Sequence, residues 1–328
     1  MRPFRCSTYG LLLLCSGLLL NLPLAAQEYP SKVVTFTVPY PAGGGTDVVA
    51  RSLAEQMAKQ LGQSVIIDNK PGAGGILGTN AVAKATADGH SVLIALNQSV
   101  LTNQFLYTKL PYDPRRDFAL VSQIATAPLL LLVPANSPVQ SLSDLRQMLK
   151  ASNGAASCGS WGAGSYPHLA CAHMASTLKT DITHVAYKGE SPMLQDLVGG
   201  QLTFVLGSLI SAKPYLDGGR LRALAVTGEQ RIPVLADVPT FAQGGMPDPE
   251  YQVSGWIAML VPMATPGPVV NRLQHAAQLA VNSPELRKRF EALGMVGIGN
   301  TAEQFRQRYA ADWSVWERLV KVSGAKLD

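Results

Sequence analysis

Two glycine-rich turns contain the residue types that could bind a small anion. They cover residues 40–47 and 159–165 of this 328-residue sequence, and each is predicted to leave a β-strand and open a helix. Glycine lets the backbone adopt positive φ angles and approach a ligand closely. The first N–H groups of a helix lack internal partners, and the helix dipole places about half a positive charge at that end. Two such helix ends that face one cleft would bind a small anion without lysine or arginine.

Four side chains in or beside these turns could contact a ligand or serve only the fold. Thr46 and Ser165 are predicted helix N-caps, whose hydroxyl groups can also reach a ligand. His168 is predicted in the first turn of the second helix, either at the edge of the cleft or as a structural histidine. Asp47 could hold a ligand ammonium group or stabilise its own helix N-terminus. Either turn alone could also be an ordinary tight turn between a strand and a helix.

Other classes of site find little support. The glycines at 72, 74 and 78 miss the dinucleotide pattern Gly-x-Gly-x-x-Gly, because Leu77 stands where the third glycine belongs. The sequence contains neither a P-loop nor a Gly-x-Ser-x-Gly nucleophile motif. Ser165 and His168 are close in sequence, but nothing marks an acid that would orient the histidine. A secreted hydrolase that uses this pair is therefore only an alternative, and we do not expect an enzyme.

The cysteines raise two further possibilities. Cys158, His168, Cys171 and His173 match no common zinc spacing, so we expect no metal and no other cofactor. Cys158 and Cys171 could instead form a disulfide in an oxidising compartment. Cys158 is predicted near the end of a strand and Cys171 more than one turn into the following helix, and this placement leaves the pairing open.

Alternating strands and helices must position these turns. Strands are predicted over residues 33–38, 64–68, 91–96, 129–133, 155–157, 183–187, 202–206, 221–226 and 256–261. Helices are predicted over residues 48–61, 76–85, 142–151, 166–178, 192–198 and 212–216, with three more after residue 261. Ser141 is a predicted N-cap, and the last helix, residues 302–322, carries an aromatic stripe at helical spacing that predicts a core seam. This order predicts an α/β fold with a mostly parallel sheet covered by helices.

Composition and charge exclude two classes of protein. The chain is 47% hydrophobic and 15% charged, which excludes a disordered protein and is enough for two α/β domains with their own cores. The formal net charge is +5, to which Arg2 and Arg5 of the N-terminal segment contribute. Nucleic-acid binding would need lysine and arginine clustered on one face, and the remaining charge is spread thinly. We therefore expect no nucleic-acid partner.

Residues 1–26 have the pattern of an export signal. Arg2 and Arg5 precede a leucine-rich stretch, and the small residues Ala25 and Ala26 stand where a signal peptidase would cut. The stretch is too short to span a membrane, which takes about 20 residues. Cleavage after Ala26 would leave a periplasmic chain that begins at Gln27. A lipid attached at Cys15 and a retained anchor are the alternatives, and no later segment is predicted to cross a bilayer.

A series of motifs follows in order along essentially the whole mature chain. They are Tyr-Pro-Ser-Lys at 29–32, Val-Pro-Tyr-Pro-Ala-Gly-Gly-Gly-Thr-Asp at 38–47, Asp-Asn-Lys-Pro-Gly-Ala-Gly-Gly at 68–75, His-Leu-Ala at 168–170, Tyr-Lys-Gly at 187–189, Asp-Leu-Val-Gly-Gly-Gln at 196–201, Gly-Arg-Leu-Arg-Ala-Leu-Ala-Val-Thr at 219–227 and Asp-Val-Pro-Thr-Phe at 237–241. This series resembles the Bug family, the periplasmic solute-binding receptors of tripartite tricarboxylate transporters.

The resemblance implies a two-domain periplasmic binding protein type II fold, a Venus flytrap with its ligand cleft between the domains. Domain 1 would hold residues 27–126 and 256–328 and domain 2 residues 127–255, with crossings near 126–130 and 253–257. The two turns would bind a ligand carboxylate, largely through backbone N–H groups and bridging water. The candidate ligand-binding residues are Tyr40, Ala42, Gly43, Gly44, Gly45, Thr46, Asp47, Ser160, Trp161, Gly162, Ala163, Gly164, Ser165 and His168.

The implied function is that of a non-enzymatic receptor. The lobes would close on a small carboxylate by hinge motion, and the monomeric receptor would deliver it to membrane permease subunits. A periplasmic ligand sensor without a transport role is the alternative in the same class. The chain departs from the family pattern at Ala172, Thr203, residues 190–192 and Trp161. If Trp161 and Tyr40 both face the cleft, a flat or aromatic carboxylate is favoured.

Overall fold

The computed structural model describes residues 29–327, so the predicted export signal, with Cys6 and Cys15, lies outside the described residues. Within this range the strands are β1 (Val34–Val38), β2 (Val65–Asn69), β3 (Ser91–Leu96), β4 (Phe118–Ala127), β5 (Leu129–Pro134), β6 (Ser157–Ser160), β7 (Thr183–Ala186), β8 (Phe204–Ser208), β9 (Leu221–Val226), β10 (Gly255–Pro262) and β11 (Val296–Gly297).

The helices within the same range are α1 (Gly45–Leu61), α2 (Ile76–Ala83), α3 (Asn103–Leu106), α4 (Leu142–Ala151), α5 (Tyr166–Leu178), α6 (Glu190–Val198), α7 (Leu209–Asp217), α8 (Pro249–Gln252), α9 (Gly267–Val281), α10 (Pro284–Leu293) and α11 (Ala302–Ser323). Short 3₁₀ turns cover Ala73–Gly75 and Pro233–Leu235, and a π-helical turn, Gln98–Thr102, follows β3. No helix in residues 29–327 combines the length and the apolar character that a membrane crossing requires.

The strands form two sheets, each of which is the centre of one lobe. The sheet of lobe 1 has the order β11-β4-β10-β3-β1-β2, and the sheet of lobe 2 has the order β7-β6-β8-β5-β9. The pairs of β1 with β2 and β3, and of β6 with β7 and β8, are parallel. The pairs that involve β4, β5 or β10 are antiparallel. The prediction of a mostly parallel sheet was therefore wrong, because β10 and β11 in lobe 1 and β5 in lobe 2 run opposite to the other strands of their sheets.

The chain passes between the sheets at neighbouring points. β4 ends in lobe 1 at Ala127, and β5 begins in lobe 2 at Leu129. The chain leaves β9 at Val226 and enters β10 of lobe 1 at Gly255. Thr227 ties the two crossings together, because its backbone N–H donates to Leu129 O and its Oγ1 accepts from Leu129 N, each at 2.9 Å. The domain boundaries given above stay a prediction.

The C-terminal helix α11 joins the lobes. The aromatic stripe predicted as a core seam is indeed buried on this helix, with Phe305, Tyr309 and Trp316 between 0% and 7% exposed. The Trp316 ring meets the ring of Tyr166, in α5 of lobe 2, edge-on at 4.9 Å between centroids. The Tyr309 hydroxyl donates to Val100 O, in lobe 1, at 2.6 Å. One continuous hydrophobic cluster consequently includes residues of both sheets.

Helices α1 and α7 begin earlier than the sequence predicts. Helix α1 begins at Gly45 with Gly44 as its N-cap, so the prediction that Thr46 is the N-cap was wrong. Helix α7 begins at Leu209 rather than 212, because the Ser208 side chain accepts from the backbone N–H of Ser211. Ser141 caps α4 as predicted.

Strand β6 covers residues 157–160 rather than 155–157, which brings the second turn closer to the helix it opens.

Candidate functional site

The first turn follows β1, and the buried side chain of Asp47 bonds to its backbone. Its residues 42–45 are exposed, whereas Thr46 and Asp47 are buried. The Asp47 carboxylate accepts hydrogen bonds from Gly43 N at 2.8 Å, Arg51 Nε at 3.0 Å and Asn69 Nδ2 at 2.9 Å. Burial opposes ionisation of Asp47, but these hydrogen bonds outweigh it and hold its pKa below the ordinary value. Asp47 therefore shapes the turn, and its oxygens are already engaged.

Tyr40 connects the first turn to the segment after β3. Its hydroxyl donates to Ser99 Oγ at 3.3 Å, and burial raises its pKa to about 12. The ring also lies against Gly75, where a Cβ would be 3.2 Å from Tyr40 Cε1. Gly75 has a φ of +90°, so a side chain there would be strained as well as crowded. Tyr40 thus packs between two backbone segments of lobe 1.

The second turn follows β6 and satisfies several of its own donors. Gly162 N donates to Ser160 Oγ at 3.2 Å, Gly164 N to His168 Nδ1 at 3.0 Å and Ser165 N to Gly162 O at 3.2 Å. Gly162 and Gly164 have φ angles of +134° and +75°, which glycine adopts without strain. These bonds occupy three backbone N–H groups of the turn, so those three groups are not available to a ligand.

Ser165 stands at the predicted N-cap of α5, but its hydroxyl does not bond the helix. The backbone of Ser165 is extended, as an N-cap requires, and its Oγ donates to Gly162 O at 2.6 Å. The side chain therefore closes the turn and does not cap α5. Because the first N–H groups of a helix have no carbonyl one turn before them, the N–H groups of Tyr166 and His168 keep their donor capacity.

Two stacked histidines form hydrogen bonds to residues of the second turn. The rings of His168 and His184 are parallel to within 26°, with centroids 4.0 Å apart. His184 Nε2 lies 2.7 Å from Ser160 Oγ. Burial, together with the charge that His168 would carry, lowers the pKa of His184 to about 4, and burial lowers the pKa of His168 as well. Both rings are thus neutral at pH 7, which lets His168 Nδ1 accept from Gly164.

The disulfide left open by the sequence is present. Cys158 of β6 and Cys171 of α5 are bonded, with their Cα atoms 6.4 Å apart and a sequence separation of 13. Both residues are buried. The bond joins the strand that enters the second turn to the helix that leaves it. It also removes both thiols from the set of four residues considered for zinc.

A cavity of about 140 Å³ lies between the lobes beside the second turn. It is lined by Leu96, Asn97, Gln98, Thr102, Ala127, Leu129, Trp161, Gly164, Ser165, Tyr166, Gly255 and Trp316. Trp161 contributes to this lining, whereas Tyr40 does not, so only half of the predicted aromatic pair meets the cavity. The lining includes no Lys, Arg, Asp or Glu among the residues described. An anion here would be held by backbone donors and neutral side chains.

The first turn does not line this cavity, but Tyr40 of the turn contacts a residue next to the lining. Tyr40 bonds Ser99, which follows the lining residue Gln98 by one position. In residues 29–327 the N–H groups of Gly44, Gly45 and Thr46 at the start of α1 have no acceptor. The lining contains no residue of the first turn, so convergence of both turns on one ligand stays a prediction.

The Ser165–His168 pair of the hydrolase alternative is not assembled. Ser165 donates to Gly162 O and His168 accepts from Gly164 N, so neither side chain is engaged with the other. A serine–histidine contact that the sequence analysis missed is Ser160 with His184, 24 residues apart. Its histidine has a pKa of about 4, which makes it a weak base, and Ser160 is fully buried. No acid within the described chain orients His184, so this contact supports the turn.

A separate ionic cluster links lobe 2 to α11. His173 Nε2 lies 3.3 Å from Asp248 Oδ1 and 3.7 Å from Glu250 Oε2. Arg318 Nε donates to Glu250 Oε1 at 2.7 Å. The side chains of His173, Asp248 and Glu250 lie close enough together to hold a metal ion, and the sequence did not predict this group. The Arg318 guanidinium pairs with Glu250, so one of these carboxylates already has a cationic partner.

A larger cavity of about 910 Å³ lies on lobe 1 and involves neither turn. Its lining includes Phe118, Met263, Val270 and Trp313, with Arg115 stacked over the Trp313 ring at 4.1 Å. None of the candidate ligand-binding residues contributes to it. Although this cavity is larger, it is not the site that the sequence predicts.

Comparison with known proteins places these features in context. Residues 49–324 match the family model described as "Tripartite tricarboxylate transporter family receptor", TctC. Protein BugT of Bordetella pertussis is 32% identical over 306 residues, which cover 93% of this chain and 93% of BugT. An R. palustris protein solved with adipate has a TM-score of 0.77 and 33% identity, covering 91% of this chain and 100% of its own.

A second structural neighbour also contains a dicarboxylate. MatC from Rhodopseudomonas palustris with bound malate has a TM-score of 0.73 and 33% identity, covering 89% of this chain and 100% of MatC. These matches confirm the two-lobed periplasmic binding protein fold predicted from the motifs.

Proposed function

We propose that this chain, which belongs to the TctC family of tripartite tricarboxylate transporter receptors, captures a small carboxylate between its two lobes. The observation that carries the proposal is the cavity between the lobes, which the start of α5 lines together with Gln98 and Trp161. Carboxylates in two related structures, adipate and malate, support the ligand class. A helix N-terminus favours a negative charge, so a carboxylate suits this wall of the cavity.

The remaining parts of the proposal concern the cellular role. The mature receptor would begin at Gln27, act in the periplasm as a monomer and deliver its ligand to membrane permease subunits without changing it chemically. The mass of the exported protein tests the cleavage site, and light scattering coupled to gel filtration tests the monomer. A ligand sensor without transport is the second candidate. Loss of uptake in a strain that lacks this receptor, rescued by the gene, would exclude that alternative.

The first experiment is a thermal-shift panel on the mature protein, after unfolding and refolding to remove any carried-over ligand. The panel contains mono-, di- and tricarboxylates, with phosphate, nucleotides and amino acids as controls. A ligand at about 100 times its Kd stabilises the fold by about 2.7 kcal/mol, which raises Tm by several degrees. Shifts confined to carboxylates support the proposal. Shifts with none of the carboxylates would contradict it.

Ser165→Ala separates a receptor from a hydrolase. The Ser165 hydroxyl closes the second turn onto Gly162 O, so its removal should weaken carboxylate binding only in part. A hydrolase that used this serine would lose turnover of ester substrates almost completely. The measurement pairs calorimetric affinity with ester turnover by wild type and variant. Wild-type turnover that S165A abolishes would contradict the receptor proposal.

A further inference from the structure

Glu190 places a carboxylate at the N-terminus of α7 in lobe 2. Its Oε2 accepts from Ser208 Oγ and from Ser211 Oγ, each at 2.8 Å, and its Oε1 accepts from Ser208 N. The neighbouring Gly207 leaves room for it, because a Cβ there would lie 3.3 Å from Glu190 Oε1. The residue is half-buried. Three donors at this helix start, the Ser208 N–H and the hydroxyls of Ser208 and Ser211, are therefore already bonded to a carboxylate of the protein itself.

The sheet topology places this carboxylate beside the second turn. Strands β6, β7 and β8 are parallel, with β6 between the other two, so their carboxyl ends share one edge of the sheet. The second turn leaves β6 at this edge. Glu190 follows β7 and reaches Ser208 at the end of β8, on the other side of β6. The side chain thus bridges the end of the strand that carries the turn.

Contacts across the lobes place the same helix start opposite the first turn. A Cβ at Gly294, the C-cap of α10 in lobe 1, would lie 2.5 Å from Leu209 Cβ, the first residue of α7. The next residue, Met295, reaches the first turn, with its Cε 3.7 Å from a Cβ built on Gly45. Glu190 bonds Ser208, one position before Leu209, so its carboxylate lies near this contact between the lobes and outside the residues that line the cavity of about 140 Å³.

We propose that Glu190 is a specificity-determining residue that excludes a second carboxylate from the α7 N-terminus, so that this receptor prefers monocarboxylates to dicarboxylates of equal length. The inference rests on the proposed function and narrows its ligand class. A second ligand carboxylate near α7 would face a like charge, and the Ser208 N–H and the hydroxyls of Ser208 and Ser211 would already be bonded to Glu190. An uncharged ligand end meets no such repulsion.

The charge of Glu190 can be removed with little change of shape. In Glu190→Gln the amide oxygen can still accept from Ser208, and the amide nitrogen can donate to a serine hydroxyl. Glu190 also stands in the first turn of α6, so the variant will lower stability through lost helix-dipole interactions. The ratio of affinities for matched ligands is the readout, because a purely structural role would not change that ratio.

The experiment measures affinities of the mature chain by calorimetry at about pH 8, where both ligand carboxylates are ionised. The probe pairs are hexanoate with adipate, butanoate with succinate, and 4-methylbenzoate with terephthalate. We expect wild type to bind the monocarboxylate of at least one pair about tenfold more tightly or better. E190Q should reduce this preference by about tenfold, chiefly through tighter dicarboxylate binding.

Glu285→Gln is the matched control, because Glu285 is an exposed carboxylate in the first turn of α10. It should leave the ratio unchanged. Dicarboxylate binding by wild type that equals or exceeds monocarboxylate binding in every pair would overturn the inference and leave the proposed function standing. An unchanged ratio in folded E190Q would also overturn it. Binding of no carboxylate at all would instead defeat the proposed function. If E190Q does not fold, the wild-type ratio alone decides.

Discussion

At the scale of single residues, the polar side chains of the two turns mainly bind backbone. Asp47 accepts from Gly43 N in the first turn, and His168 accepts from Gly164 N in the second. Each side chain stands on the helix that the turn opens and reaches back to it. Such bonds fix the backbone before a ligand arrives, which lowers the entropy cost of binding. Changes at these residues should therefore affect stability and affinity together.

Asp47→Ala should lower the free energy of unfolding by about 1–3 kcal/mol and weaken carboxylate binding. The substitution removes the buried carboxylate that accepts from the Gly43 N–H and the Arg51 guanidinium, and it leaves the Asn69 amide nitrogen with only Tyr40 O as an acceptor among the described residues. Urea unfolding and calorimetry with the carboxylate found in the thermal-shift panel measure the two effects. Asp68→Ala is the control, because Asp68 is 40% exposed and its one ion pair within residues 29–327 is with Lys70. Equal effects of the two variants would contradict the role given to Asp47.

His184 should make the protein less stable in acid. Its pKa is about 4 in the folded protein and about 6.5 in an unfolded chain, so between these values only the unfolded state binds the proton. Stability is therefore complete above about pH 6.5 and falls as the pH is lowered toward 4. Urea unfolding at a series of pH values measures this loss.

His184→Asn serves as the comparison, since other groups also titrate in acid. Asparagine can keep a hydrogen bond to Ser160 Oγ but takes up no proton in this range. The unfolding free energy of wild type should therefore decrease more than that of H184N as the pH falls from about 6.5 to about 4. Parallel pH profiles would show that His184 is not held neutral by the fold.

At the scale of elements, β6 and α5 form one unit around the second turn. The turn satisfies its own donors, the two histidines support it, and the bond between Cys158 and Cys171 closes it at the base. Helix α11 then packs on α5 through Trp316 and Tyr166. The position of the α5 N-terminus in the cavity consequently depends on the core and on the disulfide.

Loss of the disulfide should lower the free energy of unfolding by about 3 kcal/mol, because a closed loop of this length restricts the unfolded chain. The measurement is urea unfolding of the oxidised protein and of the protein reduced under denaturing conditions and refolded with reductant. The double variant C158A/C171A should be less stable than oxidised wild type and insensitive to reductant. Reductant-insensitive stability of wild type would show that the bond does not contribute.

At the scale of the whole molecule, two lobes share a hinge and a helix. The crossings after β4 and before β10 lie close together, joined through Thr227 and Leu129, and α11 contacts both lobes. Adjacent crossings allow rotation of one lobe against the other with few changes in backbone angles. The cavity of about 140 Å³ proposed for the ligand lies between these lobes, so its volume depends on their relative position.

Ligand binding should make the protein more compact. Small-angle scattering of the ligand-free mature protein, refolded to remove bound molecules, should give a larger radius of gyration than the same protein saturated with its carboxylate. The physical reason is that a ligand which contacts both lobes favours the closed arrangement. Inorganic phosphate at the same ionic strength is the control. An unchanged scattering curve at full saturation would exclude closure as the response.

Much of the fold was predictable because its signals lie in contiguous residues. The bounds of α4, α5 and β9 match their predictions, since periodicity, an N-cap and apolar runs mark them locally. The motif series predicted the family and the two-lobed fold, and the comparisons confirm both. The start of α1 was misplaced because glycine carries no helix signal, although Gly44 is the actual N-cap.

The sequence by itself determined the order of the elements, the position of the glycine turns at strand ends and the kind of protein. Only the tertiary structure decided what the side chains of the site do. Asn69 with Asp47, His184 with Ser160 and Glu190 with Ser208 are partners 22, 24 and 18 residues apart. Such partners meet only because parallel strands bring their carboxyl ends to one edge. No local pattern encodes that meeting, since it depends on which strands become neighbours.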